Sequence, residues 1–356
     1  MTSLPYHGLR LLAVHAHPDD ESSKGAATSA KYASLGARVL IATMTGGEAG
    51  DILNPALLQS PKASRDIAGL RREEMATAAA ALGAEHVWVG HVDSGLPDGD
   101  FDNQTPPGCF YRVPDEVAML PLVHIIRTFR PQVVTTYDEL GGYPHPDHIK
   151  NHAVTMAAVA AAADGSAHPE LGEPWQVQKV YFNQDLSAKK WITIHEKMTE
   201  AGLESPFAEH LEDFKKRDNK RNNWLSTRIP CAEFFPARDR ALLSHATQID
   251  PEGGFFSASR KAARTYWPTE EFELALDRTD REPLIPGVDF QEGDLFAAVT
   301  FDDGRRVPDA GMLPDTPEVE KEAADPSSEP ESAPGAGPGR SGAEESATLT
   351  ESDTHA

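Results

Sequence analysis

The stretch LRLLAVHAHPDDESSK, residues 9–24, decides how this chain is read. Its first half, Leu9–Val14, is a short apolar run of the kind that forms a buried strand. Its second half places His15, His17, Asp19, Asp20 and Glu21 within a few residues of that strand's end. Imidazoles and carboxylates are costly to gather beside apolar backbone unless something holds them together. A metal ion is the leading explanation, and the rest of the chain has to supply the missing ligands.

Working outward, apolar runs alternate with helical patterns. Strands are expected over Leu9–Val14, Ala37–Thr43, His86–Val89, Gln132–Thr136 and Gln176–Asn183. Helices are expected over Ser22–Leu35, Asp66–Leu82, Asp115–Phe129 and His148–Ala163. This alternation predicts an α/β fold, a Rossmann-like, mainly parallel sheet flanked by helices. Further helices are expected over Ala188–Ala201, Phe207–Arg217 and Ala237–Thr247. The domain reading is a Rossmann-like core over 1–169, a smaller mixed C-terminal segment over 170–305 that closes over the sheet edge and completes the pocket, and a tail over 313–356. The tail is acidic and rich in Pro, Ser, Glu, Gly and Ala, a composition expected to stay disordered.

Bulk properties narrow the class. The 356 residues carry 33 basic and 56 acidic side chains, a formal net charge of -23, which argues against nucleic acid as a partner. With two cysteines, neither a disulfide framework nor a thiolate zinc site is expected. No apolar run reaches the roughly 20 residues that cross a bilayer, and MTSLPYHGLR has no secretion-signal pattern, so the expected location is cytoplasmic. Oligomeric state has no signature in the sequence.

In parallel sheets, ligands gather beyond the carboxyl ends of the strands. Three clusters lie there: His17-Pro18-Asp19-Asp20, Thr45-Gly46-Gly47-Glu48, and Gly142-Tyr143-Pro144-His145-Pro146-Asp147-His148. The glycine-rich cluster fits neither GxGxxG nor a P-loop, so nucleotide binding is disfavoured. A catalytic zinc takes three protein ligands and keeps one open position. His17 and Asp20 can supply two ligands and His148 the third, leaving Asp19 as a free carboxylate placed to act as general base. His145 can stabilise an oxyanion or protonate a leaving amine, with Asp147 holding its imidazole charged. His15 is read as packing or as a support behind the ligand residues, and His245 as a core histidine. Iron is an alternative to zinc, because two-His-one-carboxylate sites accept both.

The pairing of HPDDE with HPDH resembles the LmbE-like (PIG-L) zinc N-deacetylases. The resemblance continues through HAHPDDESSKGAA (15–27), TGGEAGDILNP (45–55), LRREEMATAAAALG (70–83), VDSG (92–95), GGYPHPDH (141–148), HEKMTEAGLESP (195–206) and HATQIDPEG (245–253). Over roughly 8–300 it is greatest to the actinobacterial branch that cleaves mycothiol S-conjugates. It implies zinc on His17, Asp20 and His148, Asp19 as base, His145 as acid or oxyanion donor, Asp147 as its tuning partner and Tyr143 as a mobile residue at the scissile carbonyl. It also implies that Glu48, Arg71 and Asp93 hold sugar and inositol hydroxyls, and that Lys24 marks the amidase branch. Pro144 stands where some relatives have glycine, a departure expected to stiffen the loop that carries Tyr143 and to restrict that residue's mobility. Without the resemblance, Glu48 and Lys24 read as solvated charges and Arg71 as a surface ion pair. The expected partner is a small thiol conjugate. The rival readings are deacetylation of the N-acetylglucosaminyl-inositol precursor and a sugar-binding module without catalysis.

Overall fold

The computed structural model describes residues 4–185, 187–205, 207–208, 211–212, 224–251, 260 and 262–311. The expected disordered tail, 313–356, and most of the expected helix 207–217 lie outside the described residues.

Seven strands form one sheet: β1 (Arg10–His15), β2 (Arg38–Thr45), β3 (Glu85–His91), β4 (Val133–Thr136), β5 (Lys179–Asn183), β6 (Thr227–Pro230) and β7 (Thr269–Asp277), in the order β3-β2-β1-β4-β5-β7-β6. The first five are parallel, with β1 between β2 and β4. β7 runs antiparallel to both β5 and β6. The central strands are buried on both faces, which is why they read as continuous apolar runs. Strand order reverses on either side of β1, so the loops after β1 and β4 open a crevice at the carboxyl edge of the sheet.

The helices that matter for the site are α1 (Asp20–Ser23), α2 (Ala26–Ser34), α3 (Ile67–Leu82), α4 (Leu120–Phe129), α5 (Pro146–Ala163), α6 (Ala188–Glu200) and α7 (Phe235–Ser244). Two expected helices are each broken in two. Ser22–Leu35 divides at Gly25, whose φ of 71° is left-handed and ends α1 before α2 begins. Asp115–Phe129 divides at Met119, just before Pro121 enters the first turn of α4. α3 starts where expected because the Asp66 side chain accepts the Gly69 N–H at 2.9 Å.

β6 and β7 have no counterpart in the sequence reading. β7, TEEFELALD, looks polar, yet its Glu270 is buried and accepts the Ala27 and Thr28 N–H groups at the start of α2, at 3.0 and 2.8 Å. Buried aromatic and aliphatic side chains pack on both faces of the sheet, from Tyr6, Tyr32 and Phe296 on one to Phe110, Leu122 and Ile126 on the other. Among the described residues no helix is long and apolar enough to cross a membrane.

Candidate active site

The turn after β1 and the start of α5 meet across the crevice. His17 Nδ1, Asp20 Oδ2 and His148 Nε2 lie 3.3, 3.3 and 3.5 Å apart in pairs. Ligand atoms held at tetrahedral angles by bonds of about 2.0–2.1 Å are separated by about 3.4 Å, so this triangle fits a metal ion. The remaining atoms of the three groups are already engaged, which is what fixes the triangle. His148 Nδ1–H donates to the Gly141 carbonyl at 2.9 Å. His17 Nε2–H donates to Asp147 Oδ2 at 3.3 Å, and Asp147 Oδ2 also accepts the Ser94 N–H at 2.9 Å. Asp20 Oδ2 accepts the His17 N–H at 3.0 Å, while Asp20 Oδ1 receives the Lys24 ammonium at 2.6 Å. All three donor side chains are buried.

Asp19 sits beside the triangle with a half-buried carboxylate. Its backbone is left-handed, φ 118° and ψ -25°, a conformation that costs a non-glycine residue on the order of 1–3 kcal/mol and collects at functional sites. Burial and the charge of Asp20 push its carboxyl pKa up, against the pull of Arg71. Arg71 Nη2 lies 3.2 Å from Asp19 Oδ2 and donates to the Pro18 carbonyl at 3.3 Å, and Arg71 Nη1 donates to the Gly47 carbonyl. Arg71 is therefore buried, not on an exposed helical face.

His145 completes the far wall. Its Nδ1 accepts the Asp147 N–H at 3.1 Å, so the neutral ring carries its proton on Nε2. Burial, followed by the neighbouring His17 and His148, pushes its pKa down to about 3. The His145 ring packs edge-on to His17 at a centroid distance of 4.5 Å. Asp147 thus meets His145 through its backbone, and its carboxylate serves His17 instead. Tyr143 lies over His148 at 4.5 Å between ring centroids.

An open cleft of about 290 Å³ joins these groups, bordered by His17, Asp19, Arg71, Asp93, Tyr143 and His145. Gln248, from the segment beyond residue 170, also borders it. Asp93 is tied down: Oδ1 accepts the Gly95 N–H at 2.9 Å and Oδ2 the Ala49 N–H at 3.1 Å. Glu48 crosses the other way, its Oε1 accepting the Asp93 N–H at 3.1 Å. Lys24 is buried on Asp20, and neither it nor Glu48 is among the cleft-bordering side chains.

Sequence reasoning missed Tyr137, the first residue after β4. Its ring stacks on His148 at 4.5 Å and 10°, and its hydroxyl accepts the Ala16 N–H at 3.0 Å. Its place at a carboxyl strand end was the available signal. His245 is a buried histidine as expected, but it is bonded to Glu21 at 2.7 Å, a pairing no local motif announces.

Residues 12–159 match the family described as PIG-L, GlcNAc-PI de-N-acetylase. The chain is 49% identical over 293 residues to a mycothiol S-conjugate amidase of Streptomyces coelicolor, covering 82% of this chain and 97% of that protein. It is 36% identical over 301 residues to a 1D-myo-inositol 2-acetamido-2-deoxy-alpha-D-glucopyranoside deacetylase of Streptomyces scabiei, covering 80% and 92%. In fold it is similar to the N,N'-diacetylchitobiose deacetylase of Pyrococcus horikoshii, with a TM-score of 0.51 at 18% identity over 78% of this chain and 84% of that one. With the HPDD turn and the HPDH helix start converging on one donor triangle, and with near full-length similarity to such relatives, the chain belongs to the PIG-L (LmbE-like) family.

Proposed function

We propose that this protein is a metal-dependent amidohydrolase that cleaves mycothiol S-conjugates at the amide between glucosaminyl-inositol and the N-acetylcysteine moiety. The products are a mercapturic acid and the free pseudodisaccharide, a route for removing electrophiles and drugs. The carrying observation is the donor triangle of His17, Asp20 and His148 with an unliganded carboxylate, Asp19, beside it. The 49% identity to the S. coelicolor amidase over nearly its whole length selects the substrate branch.

His17, Asp20 and His148 would hold the ion, with zinc as our assignment and ferrous iron suited to the same donors. When bound, the metal supplies Lewis acidity and lowers the pKa of water toward neutrality. Asp19 takes a proton from the attacking water, and burial, which raises its pKa, makes it a better base. His145 Nε2–H faces the developing oxyanion as a neutral donor, and Tyr143 borders the same side of the cleft. Collapse breaks the C–N bond, and the proton held by Asp19 passes to the leaving amine. Arg71 and Asp93 line the wall on which sugar and inositol hydroxyls would rest, with Glu48 bracing Asp93 from behind. Lys24, buried on Asp20, orients the metal-binding carboxylate.

The 36% identity to inositol-glycoside deacetylases supports a second reading, removal of acetate from the N-acetylglucosaminyl-inositol precursor. The deciding experiment measures metal content and turnover of a mycothiol–bimane conjugate and of the acetylated precursor, for the wild type and His148→Ala. Near-stoichiometric metal with faster conjugate cleavage, both lost in the variant, is the expected result. A dominant rate on the acetylated precursor would transfer the protein to the deacetylase branch.

A further inference from the structure

Asp19 carries an energetically unfavourable left-handed backbone, so something must hold it there. Both of its flanking polar groups are committed: its carbonyl accepts the Ser22 and Ser23 N–H groups at 3.0 and 3.2 Å, and its N–H donates to Glu21 Oε2 at 2.9 Å. Glu21 is only 2% exposed, and its other oxygen takes the Ser22 hydroxyl and His245 Nε2, the latter at 2.7 Å. His245 is fully buried just beyond the end of α7, separated from Glu21 by 224 positions. Its loop is anchored independently, because Thr247 donates its N–H and hydroxyl to Glu74 at 2.9 and 2.7 Å.

We infer that Glu21 and His245 form a positioning relay that keeps Asp19 left-handed and so aims its carboxylate at the reacting water. Neither residue is among those that border the cleft, so the role assigned to them is one of positioning. A buried carboxylate–imidazole pair is weak support for stability, since apolar replacements of such pairs are often neutral or better. What this pair adds is geometry: Glu21 has one oxygen for the base's backbone and the other for a partner held by a distant helix. The role rests on Asp19 being the base, as proposed above.

The test uses the full chain loaded with metal, comparing wild type with His245→Ala, His245→Gln and Glu21→Gln. The first readout is deuterium exchange of the 17–23 segment. Release of the Asp19 N–H in His245→Ala, with metal content unchanged, is expected to speed exchange there. The second is kinetic: kcat falls about ten- to a hundredfold with KM nearly unchanged, as expected for misplacement of a catalytic group. His245→Gln, which keeps a donor toward Glu21, recovers part of that loss. In an Asp19→Asn background, His245→Ala costs nothing further, since the relay acts only through Asp19.

Unchanged exchange and kcat in His245→Ala overturn the relay. So does an equal additional loss in the Asp19→Asn background, or loss of metal in both His245→Ala and Glu21→Gln, which would make the pair general structural support. If the wild type cleaves neither amide, that failure belongs to the proposed function, and the exchange measurement still decides the relay.

Discussion

The Lys24 ammonium lies 2.6 Å from Asp20 Oδ1, on the oxygen opposite the one that faces His17 and His148. Both partners are buried, and without an ion Lys24 shares the neutralisation of this carboxylate with His148 and His17. Removing one partner of a buried pair typically costs about 3–5 kcal/mol because the other charge is left uncompensated. A bound divalent cation would replace that compensation. Lys24→Met should therefore destabilise the metal-free protein by about 3 kcal/mol and the metal-loaded protein by much less. Thermal melts with and without metal check this, and equal losses in the two states would show that Lys24 supports something other than Asp20.

Arg71 opposes the forces that raise the Asp19 pKa. Burial and Asp20 push it up, and the Arg71 guanidinium at 3.2 Å pulls it down. Replacing Arg71 by Met removes a cation that favours the ionised carboxylate, so the Asp19 pKa rises further. A general base is active when deprotonated, and the acidic limb of the kcat/KM profile should move to higher pH in Arg71→Met. The full pH profile of both proteins decides it. A limb that stays in place would mean that the limiting ionisation belongs to another group.

Much of this site was legible in the sequence because its chemistry is local. HPDD and HPDH each bring their donors together within a few residues, and parallel-sheet topology predicts that loops after β1 and β4 meet. The central parallel strands β1, β2, β4 and β5 were legible for the same reason, as apolar runs largely buried on both faces. The rest depends on long-range partners. β7 reads as polar because its Glu270 serves the start of α2, about 240 positions away. The Glu21–His245 contact spans 224 positions and has no periodic signature. Arg71 looks like a surface charge on a helix until the Pro18 and Gly47 carbonyls are brought to it by the fold. Asp147 sits beside His145 in sequence, yet its carboxylate turns to His17, because the start of α5 commits its backbone N–H to the His145 ring.

Gly141 holds His148 through its carbonyl and has no room for a side chain. Its φ is +72°, and a Cβ there would come within 2.6 Å of His148 Cβ. Gly141→Ala therefore forces either a strained residue, at roughly 1–2 kcal/mol, or a shift of the imidazole out of the triangle. The expected outcome is metal affinity lowered by about 10–100-fold, the usual effect of disturbing a ligand's outer partner. Competition with a chelator of known affinity measures it. Wild-type affinity would show that the loop takes a Cβ at position 141 without moving His148 out of the triangle.

His145 is expected to work as a neutral hydrogen-bond donor, not as an acid that cycles its charge. Its pKa is pushed down to about 3 by burial and by His17 and His148, and a bound cation would depress it further. The Asp147 N–H on Nδ1 leaves Nε2 as the atom that carries the proton. Losing one oxyanion donor typically costs about 10²–10³ in kcat, so His145→Ala should fall in that range. His145→Gln offers an amide N–H near the same place and should retain well over half of the lost free energy of activation. Because the ring is already neutral, no ionisation of His145 should shape the kcat profile above pH of about 5. Should His145→Gln be as inactive as His145→Ala while the wild-type profile loses a basic limb in both, proton donation by a charged His145 is the mechanism instead.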